Sequence, residues 1–276
     1  MQITVRVRLV CFIIKQFKDG KMKINLHSHT TRCGHASGTE REFVEEAIRI
    51  GMTDFGFSDH TPMTFPETYK SGIRMKLEEM QDYTDTILGL RKEYEGKINI
   101  YLGLEVEYYP ALFPSLMKFF EDYPLEYMIL GQHSLNNEYD GVWPGEPTED
   151  VSRLKRYVDQ VIEGLSTGKF LYLAHPDLMN FVGDEKTYLK EMERICAYTY
   201  DHKIPLEINL LGIGEGRFYP NPTFWKLVGE VGNDVIMALD AHHVRMIDVP
   251  EAEEKAMKMV KDFNLHLIET PLPKMK

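Results

Sequence analysis

From residue 22 onward the hydrophobic residues recur in two alternating rhythms. Short apolar runs such as FLYLA at 170–174 and VIMAL at 235–239 show no polar alternation, as expected of parallel strands covered on both faces. Longer segments space their apolar residues three and four apart, as helices with one buried face do. In one of them Phe43, Val44, Ala47, Ile48 and Ile50 share a face, S-G-T-E precedes them and Gly51 closes the run, so the helix has both its start and its stop. The pattern predicts seven strands, at 22–27, 53–60, 98–109, 125–136, 170–178, 205–213 and 235–243. Seven helices alternate with them, at 40–50, 76–94, 111–120, 148–165, 185–202, 223–231 and 248–264. The stretch LHLIETPLP at 265–273 reads as a closing strand or an edge. Regular βα alternation with buried strands means a parallel sheet, closed as a barrel or open. No glycine signature of a dinucleotide site or P-loop follows any strand, which counts against a nucleotide-binding open sheet.

A chain of 276 residues that is 43% hydrophobic can bury one large core, so 22–276 is expected to be a single domain. Residues 1–21 contain arginines and a short apolar run, but Lys15 interrupts that run and no small-residue cleavage site follows. We expect an extension outside the core, with Met22 as the functional start; a targeting segment, a disordered tail or an extra edge strand are the other readings. The net charge of −11 and the lack of a basic run disfavour a nucleic-acid groove and an anionic membrane surface. No apolar stretch reaches membrane-spanning length. The odd, sparse cysteines Cys11, Cys33 and Cys196 argue against a disulfide framework and for a reducing, cytoplasmic setting.

The candidate chemistry lies where the strands end. His27 and His29 stand two apart on the first strand, which places both imidazoles on one face about 7 Å apart at the backbone. Such a pair can share a transition-metal cation, for which imidazole is far better suited than for Mg or Ca. His60, His133, His175 and His242 also fall at or just past strand ends, and His35 lies in the first loop, so seven of the ten histidines occupy equivalent places. In a β/α barrel all those ends meet on the face that carries the active site. Glu105 and Asp240 occupy corresponding points, whereas His202, His243 and His266 lie on helix or tail positions. Nine ligand-type groups exceed the roughly four that one Zn takes, so two or three metals are expected. Three divalent ions, two carboxylates and one hydroxide would leave a pocket of about +3. That field would select a small anion such as a phosphate monoester.

These residues resemble a known family. HSHT at 27–30, CGHA at 33–36, SDHTP at 58–62, GLEVEYYP at 103–110, GQHS at 131–134, AHPDL at 174–178 and DAHH at 240–243 are similar to the motifs of the PHP (polymerase and histidinol phosphatase) superfamily. CGHA and GLEVEY look like its histidinol-phosphate phosphatase branch. The resemblance implies a distorted seven-stranded (β/α)7 TIM-like barrel with a trinuclear site of Zn, Mn or Fe. It implies hydrolysis of L-histidinol phosphate to histidinol and phosphate in histidine biosynthesis. It would place His27, His29, Glu105 and Asp240 on a first metal; Glu105, His133 and His175 on a second, with Glu105 as the bridge; and His35, His60 and His242 on a third. A metal-activated water would attack phosphorus in line, with Asp240 accepting its proton and His242 a candidate for protonating the leaving group. Arg217 is the expected phosphate clamp, with Arg74 and Arg32 weaker candidates. Glu107 would support the site or meet the substrate amine. The rivals are a PHP phosphoesterase of other specificity and a non-catalytic PHP module.

Overall fold

The computed structural model describes residues 22–273, so the extension expected at 1–21 lies outside the described residues. Four parallel strands, β1 (Ile24–Asn25), β2 (Asp54–His60), β3 (Asn99–Val106) and β4 (Tyr127–Leu130), pair in chain order. A second parallel sheet pairs β5 (Leu206–Asn209), β6 (Asp234–Ala238) and β7 (His266–Leu267). The connections carry α1 (Glu40–Ile50), α2 (Met80–Glu93), α3 (Phe113–Phe120), α4 (Val151–Ser166), α5 (Glu185–His202), α6 (Leu210–Glu215), α7 (Pro222–Val231) and α8 (Pro250–Asp262). Isolated parallel bridges join the two sheets: Leu130 to Leu173 to Leu206 on one side, and Ser28 to Ala241 on the other. The result is one curled α/β sheet with helices outside it.

Local chemistry explains where elements start and stop. Thr39 caps α1 in a reciprocal box with Glu42, and Gly51 ends the helix in the left-handed region at φ 84°; such a cap contributes about 1 kcal/mol. The helix at 148–165 begins only at Val151, because the Asp150 side chain takes the Ser152 N–H. The strand expected over 205–213 stops at Asn209, whose side chain accepts from the Gly212 N–H and starts α6. The strand expected at 170–178 makes ladder contacts over a short stretch. Leu171 and Ala174 donate to Met128 and Leu130, and Leu173 donates to Pro205. The ladder breaks where His175 turns to φ 32° and Pro176 has no N–H to offer.

Apolar side chains fill two layers. The larger lies between sheet and helices, where Phe55 and Phe57 of β2 meet Phe43 and Tyr83. The smaller fills the inside of the curl, with Leu26, Tyr101, Tyr127, Ile129, Tyr172 and Ile236. Tyr127 crosses that interior and donates to the Leu26 carbonyl at 2.9 Å. It needs Gly56 and Gly103 beneath it: a Cβ there would stand 2.2 and 2.3 Å from its phenol ring system. This plug closes the lower interior and leaves the C-terminal strand ends free to carry polar groups.

Candidate metal centre

Parallel register brings the ligand-type side chains together. His60 is paired with Glu105, and Glu105 with Ile129, so the two polar side chains lie abreast at the strand ends. Glu105 is fully buried at the centre of the cluster. Its Oε1 lies 2.9 Å from His175 Nε2 and 3.3 Å from His133 Nε2. Its Oε2 lies 3.1 Å from His60 Nδ1 and 3.5 Å from both His27 Nε2 and His29 Nε2. Gly131 makes this seat possible, since a Cβ there would stand 1.8 Å from Glu105 Oε1. Asp240 Oδ1 faces His29 Nε2 at 3.0 Å and His27 Nε2 at 3.4 Å. One ring nitrogen each from His35, His60 and His242 also falls within 4.8 Å of the others. His175 and Asp240 both hold positive φ, 32° and 53°, a strain that the surrounding structure must over-determine.

Most of these rings are held from behind. His27 Nδ1 meets Glu207 Oε2 at 2.8 Å, and His133 Nδ1 meets Glu107 Oε1 at 3.0 Å. His29 Nδ1 faces Asp59 Oδ1 at 3.5 Å. His35 Nδ1 and His242 Nδ1 instead reach the carbonyls of Cys33 and Asp240, each at 3.0 Å. An N–H donated outward leaves the other nitrogen with a lone pair directed at the cluster.

Burial opposes charge on every group here, and the neighbours decide the outcome. Against burial, Glu207, Asp240 and Glu105 hold the His27 imidazolium well above its usual range. Against burial again, the hydrogen bond to Asp240 and the nearby Asp59 carboxylate raise His29 to about 9. Burial and the charge of His29 push His60 well down and His242 to about 3. Burial would raise Glu105, but His133, His60 and His27 outweigh it and keep the carboxylate ionised; Asp240 is held ionised likewise, chiefly by His27 and His29.

His27 Nε2, His60 Nδ1, Glu105 Oε2 and His242 Nε2 are buried with no hydrogen-bond partner. Left so, each would cost about 1–3 kcal/mol. Imidazole nitrogens and carboxylate oxygens of this kind fit divalent transition metals. The donor set therefore matches the metals expected from it.

A cavity of about 550 Å³ opens above the cluster, lined by His133, His175, His242, Arg217, Trp143 and Ile73 among others. Six of the nine expected ligand positions, His35, His60, His133, His175, Asp240 and His242, line it, and His27, His29 and Glu105 lie buried against them. Arg217 stands in its wall, bonded to Glu215 and, at 2.6 Å, to the Tyr219 hydroxyl. Arg32 is committed to Glu40 and Asp82. Arg74 is also committed: its guanidinium is buried between Glu107 and Glu138, with no N–H left for a phosphate. Glu107 supports His133, and its bidentate pairing with Arg74 leaves it unsuited to a substrate amine. Without metal, His242 is kept neutral, which suits a ligand. Outside the cluster, His202 bonds to the Tyr198 carbonyl and His266 to Asp234, while His243 caps a short turn.

Three supporting residues escaped the sequence reading: Glu207 behind His27, Asp59 beside His29, and Asn209, whose Nδ2 donates to Asp240 Oδ2 at 3.0 Å. A faint signal existed. In LEIN, Glu207 and Asn209 alternate with Leu206 and Ile208, so one face of β5 is polar where the curl encloses it.

Comparison with known proteins gives the same direction. A family model described as the PHP domain matches residues 25–210. A probable histidinol-phosphatase of Deinococcus radiodurans is 28% identical over 251 residues, covering 86% of this chain and 92% of that protein. A probable histidinol-phosphatase of Schizosaccharomyces pombe is 25% identical over 247 residues, covering 80% and 81%. Among solved structures, a histidinol phosphate phosphatase from Lactococcus lactis, complexed with Zn, L-histidinol and phosphate, superposes with a TM-score of 0.70 at 17% identity. It covers 90% of this chain and 96% of that one.

Proposed function

Since the chain belongs to the PHP domain family, we propose that it is a metal-dependent phosphomonoesterase that hydrolyses L-histidinol phosphate to L-histidinol and inorganic phosphate. The observation that carries this reading is the convergence of seven imidazoles and two ionised carboxylates beneath one open cavity. The substrate follows from likeness, over most of their length, to proteins named probable histidinol-phosphatases. We read β1 to β6 and the Leu173 stretch between β4 and β5 as the seven staves of one distorted β/α barrel, with β7 at its edge, and 22–276 as a single domain. Among the described residues no helix is long and apolar enough to cross a membrane, which accords with the cytoplasmic setting we assign.

Two or three ions would be held as the motifs imply: His27, His29, Glu105 and Asp240; Glu105, His133 and His175; His35, His60 and His242. Bound there, divalent transition metals would neutralise phosphate charge and lower the pKa of water toward neutrality. The chain's own groups do the rest. Asp240 Oδ1, ionised and steadied through Oδ2 by Asn209, can accept the proton of an attacking water. Arg217 presents the N–H groups not spent on Glu215 and Tyr219 to a phosphate oxygen. Tyr127 and the layer below exclude water from beneath the cluster.

The test is elemental analysis of the purified protein together with turnover of L-histidinol phosphate, an aryl phosphate and other phosphate monoesters. Two to three bound transition-metal ions and preference for histidinol phosphate are expected. Activity on the aryl ester alone would retain the site and reject the substrate. One ion or none after reconstitution with Zn, Mn or Fe would reject the metal assignment.

A further inference from the structure

Arg74 lies at the end of the loop after β2, and its side chain is buried. All five of its N–H groups are spent on the protein. Nη1 donates to Glu107 Oε2 at 2.8 Å and to the Thr61 carbonyl at 2.9 Å, and Nη2 donates to Glu107 Oε1 at 2.9 Å. Nε donates to Glu138 Oε2 at 2.6 Å, and Nη2 completes that pair. One guanidinium thus serves two carboxylates that belong to different parts of the site.

The inner carboxylate belongs to the metal centre. Glu107 Oε1 takes Nδ1 of His133 at 3.0 Å, and His133 turns Nε2 toward Glu105 at 3.3 Å. The outer carboxylate belongs to the loop that carries Trp143 to the cavity wall. Glu138 Oε1 accepts from the Tyr69 hydroxyl at 2.7 Å. Phe65 lies under the Arg74 guanidinium with its centroid 5.6 Å away, and packs on Tyr69 and Tyr139. The two loops so joined carry Ile73 and Trp143, both lining the cavity above the ligands. These two are 39% and 54% exposed, so the wall offers apolar surface to whatever enters.

A buried charge cluster of this kind seldom adds stability over apolar packing, and its best-attested use is to fix a geometry. We propose that Arg74 is a positioning residue that sets two things at once: through Glu107 the ring of His133, and through Glu138 the Ile73–Trp143 wall that recognises the organic body of the substrate. The second half rests on the phosphomonoesterase reading above. The ligand body it fits is a compact, ring-bearing alcohol that can lie against the exposed indole, while the phosphate faces the polar floor.

Four substitutions separate the halves. Glu138→Gln, Glu107→Gln, Arg74→Met and Arg74→Lys are compared with the parent protein on L-histidinol phosphate and on glycerol phosphate, which lacks a ring. Metal content is read after dialysis against a chelator. Glu138→Gln is expected to raise KM for histidinol phosphate at least ~10-fold, with kcat, metal retention and KM for glycerol phosphate moving less than about threefold. Glu107→Gln is expected to weaken metal retention ~10–100-fold and to lower kcat on both substrates. Arg74→Met should show both effects, and Arg74→Lys should fall short of rescue because it cannot make the bidentate pair. Equal effects of Glu138→Gln on both substrates, or none on either, overturn the outer half. Parent-like metal retention in Glu107→Gln overturns the inner half. If Arg74→Met does not fold, the two carboxamide variants still decide. A parent protein that cleaves glycerol phosphate but not histidinol phosphate rejects the substrate reading and the outer half with it, while metal retention continues to read the inner half alone.

Discussion

The histidine cluster has two regions built from the same side chain and supported differently. On the floor, His27 and His133 rest on the carboxylates of Glu207 and Glu107, and His29 faces Asp59. Toward the rim, His35 and His242 rest on main-chain carbonyls. The floor rings His27 and His29 are fully buried, whereas His35 is exposed and His242 partly so. A full negative charge behind an imidazole raises its basicity and strengthens its bond to a cation. A carbonyl orients the ring without adding charge. Proton affinity differs as well: burial weighs on both, yet Asp240 within the cluster and Asp59 behind the ring raise His29 to about 9, while the charge of His29 pushes His242 to about 3. We expect the floor to hold metal more tightly than the rim, because charge lies behind its rings.

The strongest way to break this comparison is Glu105→Gln, because Glu105 touches His133 and His175 through one oxygen and His27, His29 and His60 through the other. Removing its charge should cut turnover at least ~10³-fold, about 4 kcal/mol of barrier, with lower metal content. Glu107→Gln should cost less, ~10–100-fold, since it acts through His133 alone. An equal or greater loss at Glu107 would show that the bridge has been assigned to the wrong carboxylate.

Next in size is Glu207→Gln. It leaves every ligand in place but removes the charge behind His27, and should weaken the tightest-bound ion ~10–100-fold in competition with a chromophoric chelator. If affinity is unchanged, the support behind the ring does not govern the floor.

A smaller effect sharpens the comparison within the unaltered protein. Dialysis against a chelator should release metal in two phases, the first from His35, His60 and His242. His242→Ala should abolish that first phase and spare the second. A single phase in the parent would mean that the two regions hold metal alike.

The smallest effect is one of pH. In metal-free protein, His29 is raised from 6.5 to about 9, so its folded form binds a proton more tightly than the unfolded chain does. That contribution to stability is complete below about pH 6.5 and is lost as pH rises through about 9. The Tm of the metal-free protein should fall across this window. The gain in Tm on adding Zn should widen, because the metal needs the neutral ring. A metal-free Tm that rises across the window would contradict the role given to His29.

The sequence by itself determined which ligand-type residues gather at one end of the sheet and roughly where they stand. Apolar runs mark the parallel strands, and ligand-type residues at 27, 29, 60, 105, 133, 175, 240 and 242 follow from their ends. Each such assignment depends only on neighbours in the chain, through the strand period and the rule that parallel strands end on one face. Tertiary structure decided what holds those residues. Glu207 lies 180 positions from His27, and Arg74 lies 64 positions from Glu138; no local pattern links either pair. Arg74 read as a phosphate contact because an arginine in a loop near a strand end has an open future until its partners are known. Folding placed two carboxylates against it, and burying a cation requires that its charge and donors be met. The same holds for the stretch around Leu173, whose apolar run promises a full strand while the positive φ at His175 and the proline after it end the ladder early. Chain-local periodicity determines which side chains face the cavity. Contacts between distant segments determine their charge state, their orientation and whether they remain free to meet a substrate.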